Sequence, residues 1–246
     1  MKAQLKYGLK VFQTVDELNL AAAELIVAIA KKAIATNGRF TIALSGGHTP
    51  EKLYSLLAES PWRQQIDWIK TFIFWGDERY VLFDSIQNNA HQAKSLLFDK
   101  IDIPTSNIYA MPVNLLPSEV AVEYETSLKY FFQTAPIRFD LVLLGLGSNG
   151  HTASLFPGTA VLNDQAAGIR PVYVKEEEMY RITMTAPLIN QAHHIFFLVT
   201  GVNKKEILKN VLSTADQPEK FPAQLIKPKD GELMWLVDQA AAELIA

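Results

Sequence analysis

The sequence predicts an α/β protein with a mostly parallel sheet and helices on both faces. Two observations carry this. Leu141-Val142-Leu143-Leu144 and Ile195-Phe196-Phe197-Leu198-Val199 are continuous apolar runs, as expected of strands buried on both faces. Between such runs lie longer stretches with helix-end signals, so strands alternate with helices. The 246 residues, 49% of them hydrophobic, suffice for one large core. With no internal repeat, low-complexity tract or clear linker, residues 1–246 read as a single domain.

The elements follow in order. Thr14-Val15-Asp16-Glu17 has the spacing of a capping box, and residues 18–34 read as a long helix that Asn37-Gly38 ends. Phe40 to Leu44 is a short strand followed by the turn Ser45-Gly46-Gly47. Thr49 is placed to cap a helix with Pro50 at its first position and Glu51 in its first turn. Thr71 to Trp75 is the next strand, followed by a charged loop. Residues 89–98 and 119–132 read as helices, and residues 112–117 and 216–228 as proline-containing loops. After the strand at residues 195–199, Asn203-x-x-Glu206 opens a helix. Residues 231–237 form a last strand, with a helix running through residue 246.

Charge and composition exclude several classes. A formal net charge of −3 argues against a general nucleic-acid binder, although a local pocket can still be basic. The absence of cysteine excludes disulfides, thiolate zinc sites and cysteine nucleophiles. No run of 18 apolar residues is present, so no membrane span is expected. The first 14 residues lack an apolar core of signal-peptide length. A cytoplasmic protein without an obligatory protein partner is the expectation.

The richest stretch is residues 139–158, FDLVLLGLGSNGHTASLFPG. An apolar strand runs into Gly145, Gly147 and Gly150, which let the backbone turn sharply and approach a ligand. His151 then falls at the carboxyl end of that strand, where open α/β sheets place their ligands, and is the candidate general base. The same glycines spell the dinucleotide fingerprint G-x-G-x-x-G. That motif needs a long helix after the third glycine, and Pro157-Gly158 stop one. Of the other histidines, His48 lies in the first glycine turn and His91 on a helix, while His193 and His194 precede a strand.

Anion-binding candidates lie elsewhere. Ser45-Gly46-Gly47, between a strand and a helix, is either a plain turn or an anion site made of backbone N–H groups and the helix dipole. Arg79 follows a strand and can fork onto a phosphate, or pair internally with Asp77 or Glu78. Asp77 and Glu78 offer too few oxygens for a hard cation, so no metal is expected. Lys204, in the first turn of a helix, is unfavourable there unless a phosphate meets it; the alternative is a solvated surface lysine, as expected of Lys205. Arg181 lies two residues inside an expected strand.

Six blocks in order resemble the 6-phosphogluconolactonase family. They are residues 44–50 (LSGGHTP), 75–81 (WGDERYV), 145–157 (GLGSNGHTASLFP), 181–185 (RITMT), 200–204 (TGVNK) and 231–235 (GELMW). The resemblance runs from about Val11 to the C-terminus. It implies a three-layer, Rossmann-like fold of the sugar-phosphate isomerase and deaminase type. It also implies hydrolysis of 6-phospho-D-glucono-1,5-lactone to 6-phosphogluconate, in the oxidative branch of the pentose phosphate pathway, with no cofactor. His151 is then the base and Asn149 its neighbour. Arg79 and Lys204 hold the phosphate with the loop Ser45, Gly46 and Gly47. Asn89 is expected to hydrogen-bond sugar hydroxyls, and Asp77, Gly147 and Arg181 complete the substrate wall.

The family usually has aspartate where this chain has Asn149. Two rival readings are a glucosamine-6-phosphate deaminase and a non-catalytic sugar-phosphate sensor. The deaminase pattern places a glutamate where Phe156 stands and a tyrosine where Arg79 stands. The sensor reading has no need of His151.

Overall fold

The computed structural model describes residues 8–133, 136–213 and 215–245. The elements in chain order are β1 (Gly8–Phe12), α1 (Val15–Asn37), β2 (Phe40–Leu44), α2 (Glu51–Leu57), β3 (Thr71–Trp75), β4 (Asp77–Arg79), α3 (Asn89–Leu96), α4 (Pro117–Phe132), β5 (Leu141–Gly145), β6 (Ile169–Val174), β7 (Met179–Met184), α5 (Ala186–Ile189), β8 (His194–Val199), α6 (Lys205–Ser213), β9 (Glu232–Asp238) and α7 (Gln239–Ala242). Six strands form one parallel sheet in the order β1-β9-β8-β5-β2-β3, with helices around it. Every residue of β2 and the first four of β5 are buried, in keeping with their apolar runs. Burying each large apolar side chain contributes about 1.5–3 kcal/mol, which makes this sheet the rigid base for any site at its ends.

The long helix α1 ends as expected. Gly38 takes φ 74° and donates its N–H to Ile34 O at 2.9 Å. At its other end Thr14 accepts from Glu17 N–H at 3.1 Å. The Glu17 carboxylate overshoots the expected box and takes the Gln13 N–H at 3.0 Å.

Several expectations need correction. The edge strand β1 was not foreseen, because its exposed and half-buried residues give no apolar run. Asp77-Glu78-Arg79 is a strand, not a charged loop. It pairs antiparallel with β7, which pairs with β6, in a second three-stranded sheet. Strand β6 carries Pro171, tolerable because β6 is an edge. Thr49 makes no cap: α2 starts one residue later, after Pro50, without a side-chain cap. Helix α4 starts at Pro117, and Glu119 accepts from Leu116 N–H at 3.1 Å, so Pro117 opens a helix rather than closing a loop. Lys204 ends a single 3-10 turn (Val202–Lys204), and α6 begins only at Lys205. The final helix stops at Ala242 and gives way to a turn; residue 246 and the first seven residues lie outside the described ones. No described helix is long and apolar enough to cross a membrane.

The strand order places the site. From β2 the chain moves to β3 on one side; from β5 it moves through β8 to β9 on the other. The adjacent carboxyl ends of β2 and β5 are therefore the topological switch point, where open α/β sheets leave a crevice. The loops that leave these two strands are 45–50 and 146–151. Gly76 joins the two sheets at this level, donating to Leu44 O at 3.0 Å and accepting from Met184 N–H at 2.8 Å.

Candidate active site

His151 is held by its own loop. Gly147 N–H donates to His151 O at 2.8 Å, and Gly150, at φ 83°, donates to Gly147 O at 3.0 Å. The Thr152 hydroxyl donates to Gly145 O at 2.8 Å and pins the loop to the end of β5. A side chain on Gly147 would overlap the imidazole, so glycine is needed there for the ring itself to fit. Against the ring stacks Phe156, with centroids 3.9 Å apart and planes 21° apart. Ala153 sits at φ 45°, a conformation that costs a Cβ-bearing residue about 1–3 kcal/mol and tends to occur at functional sites.

The Asn149 side chain decides the tautomer. Its Oδ1 lies 2.6 Å from His151 Nδ1 and also accepts His151 N–H at 3.2 Å. An oxygen that takes the backbone proton acts as an acceptor toward the ring as well, so Nδ1 carries the hydrogen. That leaves the Nε2 lone pair free as the basic site. Burial pushes the imidazole down to about 4. The Asp77 and Glu177 charges pull it partly back up, and the Arg181 and Lys204 charges push it further down. The ring is therefore neutral at physiological pH, the form a base needs.

A second group surrounds Asp77 at the start of β4. Its Oδ2 accepts the Ser154 hydroxyl at 2.6 Å, and its main-chain oxygen accepts Asn89 Nδ2 at 2.9 Å. Asn89 is buried against Gly46, where any Cβ would strike its carboxamide. The Asn89 Oδ1 and the Ser45 hydroxyl are both buried without a protein partner. Two such orphaned groups are costly unless a ligand or water meets them. The Ser45 backbone is clasped by the buried Tyr54 hydroxyl, which accepts its N–H at 3.2 Å and donates to its carbonyl at 2.6 Å. Ser45 N–H is thus occupied by Tyr54, and Glu51 sits in the first turn of α2.

The cations divide into two kinds. Arg79 does not pair with Asp77 or Glu78 among the described residues; its Nη1 donates to Gln87 O at 2.9 Å, and its buried Nε has no partner. Arg181 stands directly opposite Arg79 across the β4–β7 ladder and is ion-paired with Glu177. Like charges facing each other on a ladder repel, and an anion between them relieves that. Lys204 is half-buried, its ammonium pushed down by desolvation, and it enters no ion pair among the described residues. Lys205, expected to be a free surface lysine, instead pairs with Glu243 at 3.1 Å.

The fold thus brings His151 together with Asn149, Asp77, Arg181 and Lys204, and seats Asn89 beside Gly46, Ser45 and Asp77. Sequence reasoning missed Ser154, Glu177, Glu78 and the stacking role of Phe156. Ser154 and Phe156 both lie in the 145–157 block, where residues three and five after a candidate histidine merited scrutiny. Glu78 lies in the 75–81 block, where it reads only as a partner for Arg79 or a cation; Glu177 offered no signal.

The family model for glucosamine-6-phosphate isomerases and 6-phosphogluconolactonase matches residues 13–235. The chain belongs to that family. Within it, the 6-phosphogluconolactonase of Synechocystis is 45% identical over 217 residues, covering 86% of this chain and 87% of its own. The Nostoc 6-phosphogluconolactonase is 42% identical over 236 residues, covering 93% and 95%. Among solved structures, the 6-phosphogluconolactonase from Trypanosoma cruzi superposes with a TM-score of 0.88 at 28% identity, covering 99% of this chain and 98% of its own. A monomeric glucosamine-6-phosphate deaminase, 23% identical with a TM-score of 0.81, shares the fold alone.

Proposed function

We propose that the protein hydrolyses 6-phospho-D-glucono-1,5-lactone to 6-phosphogluconate, with His151 as the base. The observation that carries the role of His151 is its Nδ1 contact with Asn149, which leaves a neutral imidazole with Nε2 free. Nε2 takes a proton from water as the water oxygen attacks the C1 carbonyl. The tetrahedral intermediate collapses, the C1 to ring-oxygen bond breaks, and the imidazolium returns the proton to the departing ring oxygen. Lactone plus water thus becomes one hydroxy acid, which ionises at neutral pH. General acid–base help of this kind is worth about 10²–10⁴ in rate. Asp77, whose charge acts on His151, stabilises the transient imidazolium.

The remote phosphate is the handle. Arg79 and Lys204 grip it, while Ser45 and Asn89 meet sugar hydroxyls with their orphaned oxygens. Binding energy from these contacts positions C1 for attack. The deaminase reading lacks its carboxylate, since an apolar ring, Phe156, covers the imidazole.

The test is loss of freshly made 6-phosphogluconolactone, followed through a coupled dehydrogenase and corrected for spontaneous hydrolysis. Acceleration, with no ammonia released from glucosamine 6-phosphate, is the expected result. A rate equal to the blank ends this reading.

A further inference from the structure

Glu78 is the middle residue of β4 and is almost fully buried, yet hydrolysis has no use for it. Its carboxylate is nevertheless fully engaged. Oε1 accepts Arg79 N–H at 2.8 Å and Asn89 N–H at 2.7 Å, and Oε2 accepts Ala90 N–H at 3.0 Å. The last two donors belong to the first turn of α3, which lacks intrahelical acceptors for them. A third, His91 N–H, goes to Asn88 Oδ1 at 2.9 Å. A carboxylate also suits that helix end electrostatically.

The two segments joined in this way each carry a substrate residue, Arg79 on one and Asn89 on the other. Between them the chain makes an excursion over residues 80–88 in which Leu82, Phe83 and Ile86 are exposed. The loop is anchored at Tyr80, whose N–H donates to Tyr180 O at 3.0 Å, and Phe83 meets the His91 ring at 5.6 Å, but among the described residues only Glu78 takes N–H groups from both β4 and α3. Two further contacts help to set the spacing of the ends. Arg79 Nη1 reaches Gln87 O, and Asn89 Nδ2 reaches Asp77 O at 2.9 Å.

We propose that Glu78 is a positioning residue for substrate binding: by clasping β4 to the first turn of α3, it holds the Arg79 guanidinium and the Asn89 carboxamide at the spacing of one bound sugar phosphate. The inference rests on the roles given above to Arg79 and Asn89. Glu78 touches no substrate itself. It acts chiefly on KM, because His151 and Asn149 sit on a different loop and its neighbour Asp77 is tied to that loop separately by the Ser154 hydroxyl at 2.6 Å.

The experiment compares kcat, KM and Tm of wild type, Glu78→Gln and Glu78→Ala on 6-phosphogluconolactone. Glutamine can keep its oxygen where Oε1 accepts from both Arg79 and Asn89 but sets an NH2 donor against Ala90 N–H in place of Oε2, so KM should rise about threefold. Alanine loses all three bonds, and KM should rise at least tenfold with kcat within about threefold of wild type. A fall in Tm with KM unchanged would make Glu78 a purely structural residue and overturn the proposal, as would a fall in kcat with KM unchanged. If the alanine variant does not fold, the glutamine variant decides: a raised KM supports the clasp and an unchanged KM overturns it. Wild type that fails to hydrolyse the lactone refutes the function itself, whereas active wild type with unmoved variants refutes only the clasp.

Discussion

The loop after β5 and the surface built from β4, the start of α3 and the turn after β8 hold their functional groups by opposite means. His151 is fixed by partners within six residues of it: Gly147, Asn149, Gly145 and Phe156. The proposed phosphate grip, Arg79 and Lys204, joins β4 to the turn after β8, which no local pattern connects. A short loop can orient one side chain through its own turns and glycines. A binding surface that spans a phosphate and several hydroxyls must recruit strands and helix ends from across the chain. Errors in the first region should therefore stop chemistry, and errors in the second should loosen binding.

The largest expected effect lies in the first region. His151→Ala should lower kcat at least 100-fold with KM little changed, since a positioned base supplies about 10²–10⁴. Retention of more than a tenth of wild-type kcat would remove His151 from the mechanism. Gly147→Ala should act through the same ring. Its Cβ overlaps the imidazole, which Phe156 blocks on one face, and a displacement near 1 Å can cost about 10²-fold. Circular dichroism should show the fold intact in both variants.

In the second region, Arg79→Ala and Lys204→Ala should each raise KM for the phosphorylated lactone about 10- to 100-fold. That corresponds to a lost charge-assisted hydrogen bond of about 1.5–3 kcal/mol. Unphosphorylated gluconolactone should be almost unaffected. Equal losses on both substrates would sever these cations from the phosphate. Arg181→Ala should cost less on the phosphate, because the Arg181 guanidinium is already ion-paired with Glu177.

The smallest effect concerns pH. With the His151 imidazole pushed down to about 4 by burial, the acid limb of kcat that belongs to the base should lie at about pH 4, where the base becomes protonated. Asn149→Asp places a carboxylate on Nδ1–H, which favours the imidazolium, so the acid limb should move to higher pH. A shift of one pKa unit corresponds to about 1.4 kcal/mol. An unmoved limb at unchanged rate would mean that position 149 contributes shape and no charge.

Much of both regions was legible in one dimension. The buried parallel strands declared themselves as apolar runs, because a strand covered on both faces has no polar positions to alternate. The glycine turn and His151 were legible because their constraint is local. Strand β4 was not: Asp77-Glu78-Arg79 has no apolar signal, and its strand character comes from hydrogen bonds to β7, more than a hundred residues away. Edge strands β1 and β6 were missed for a related reason, since one-sided pairing leaves a mixed pattern, and Pro171 reads as a breaker.

By itself, then, the sequence determined the fold class, the central strands, the turn that presents His151 and the identities of most candidate substrate residues. The first three follow from periodicity and backbone permissiveness, which short segments carry; the substrate candidates rest on the resemblance of six blocks to one family. Only the tertiary structure decided which strand ends meet at the switch point, that Asn149 leaves Nε2 as the basic nitrogen, that Arg181 belongs to Glu177, and that Glu78 binds two distant segments together. The first joins strands far apart in sequence; the others are side-chain distances that no residue pattern prints, however near the partners lie along the chain.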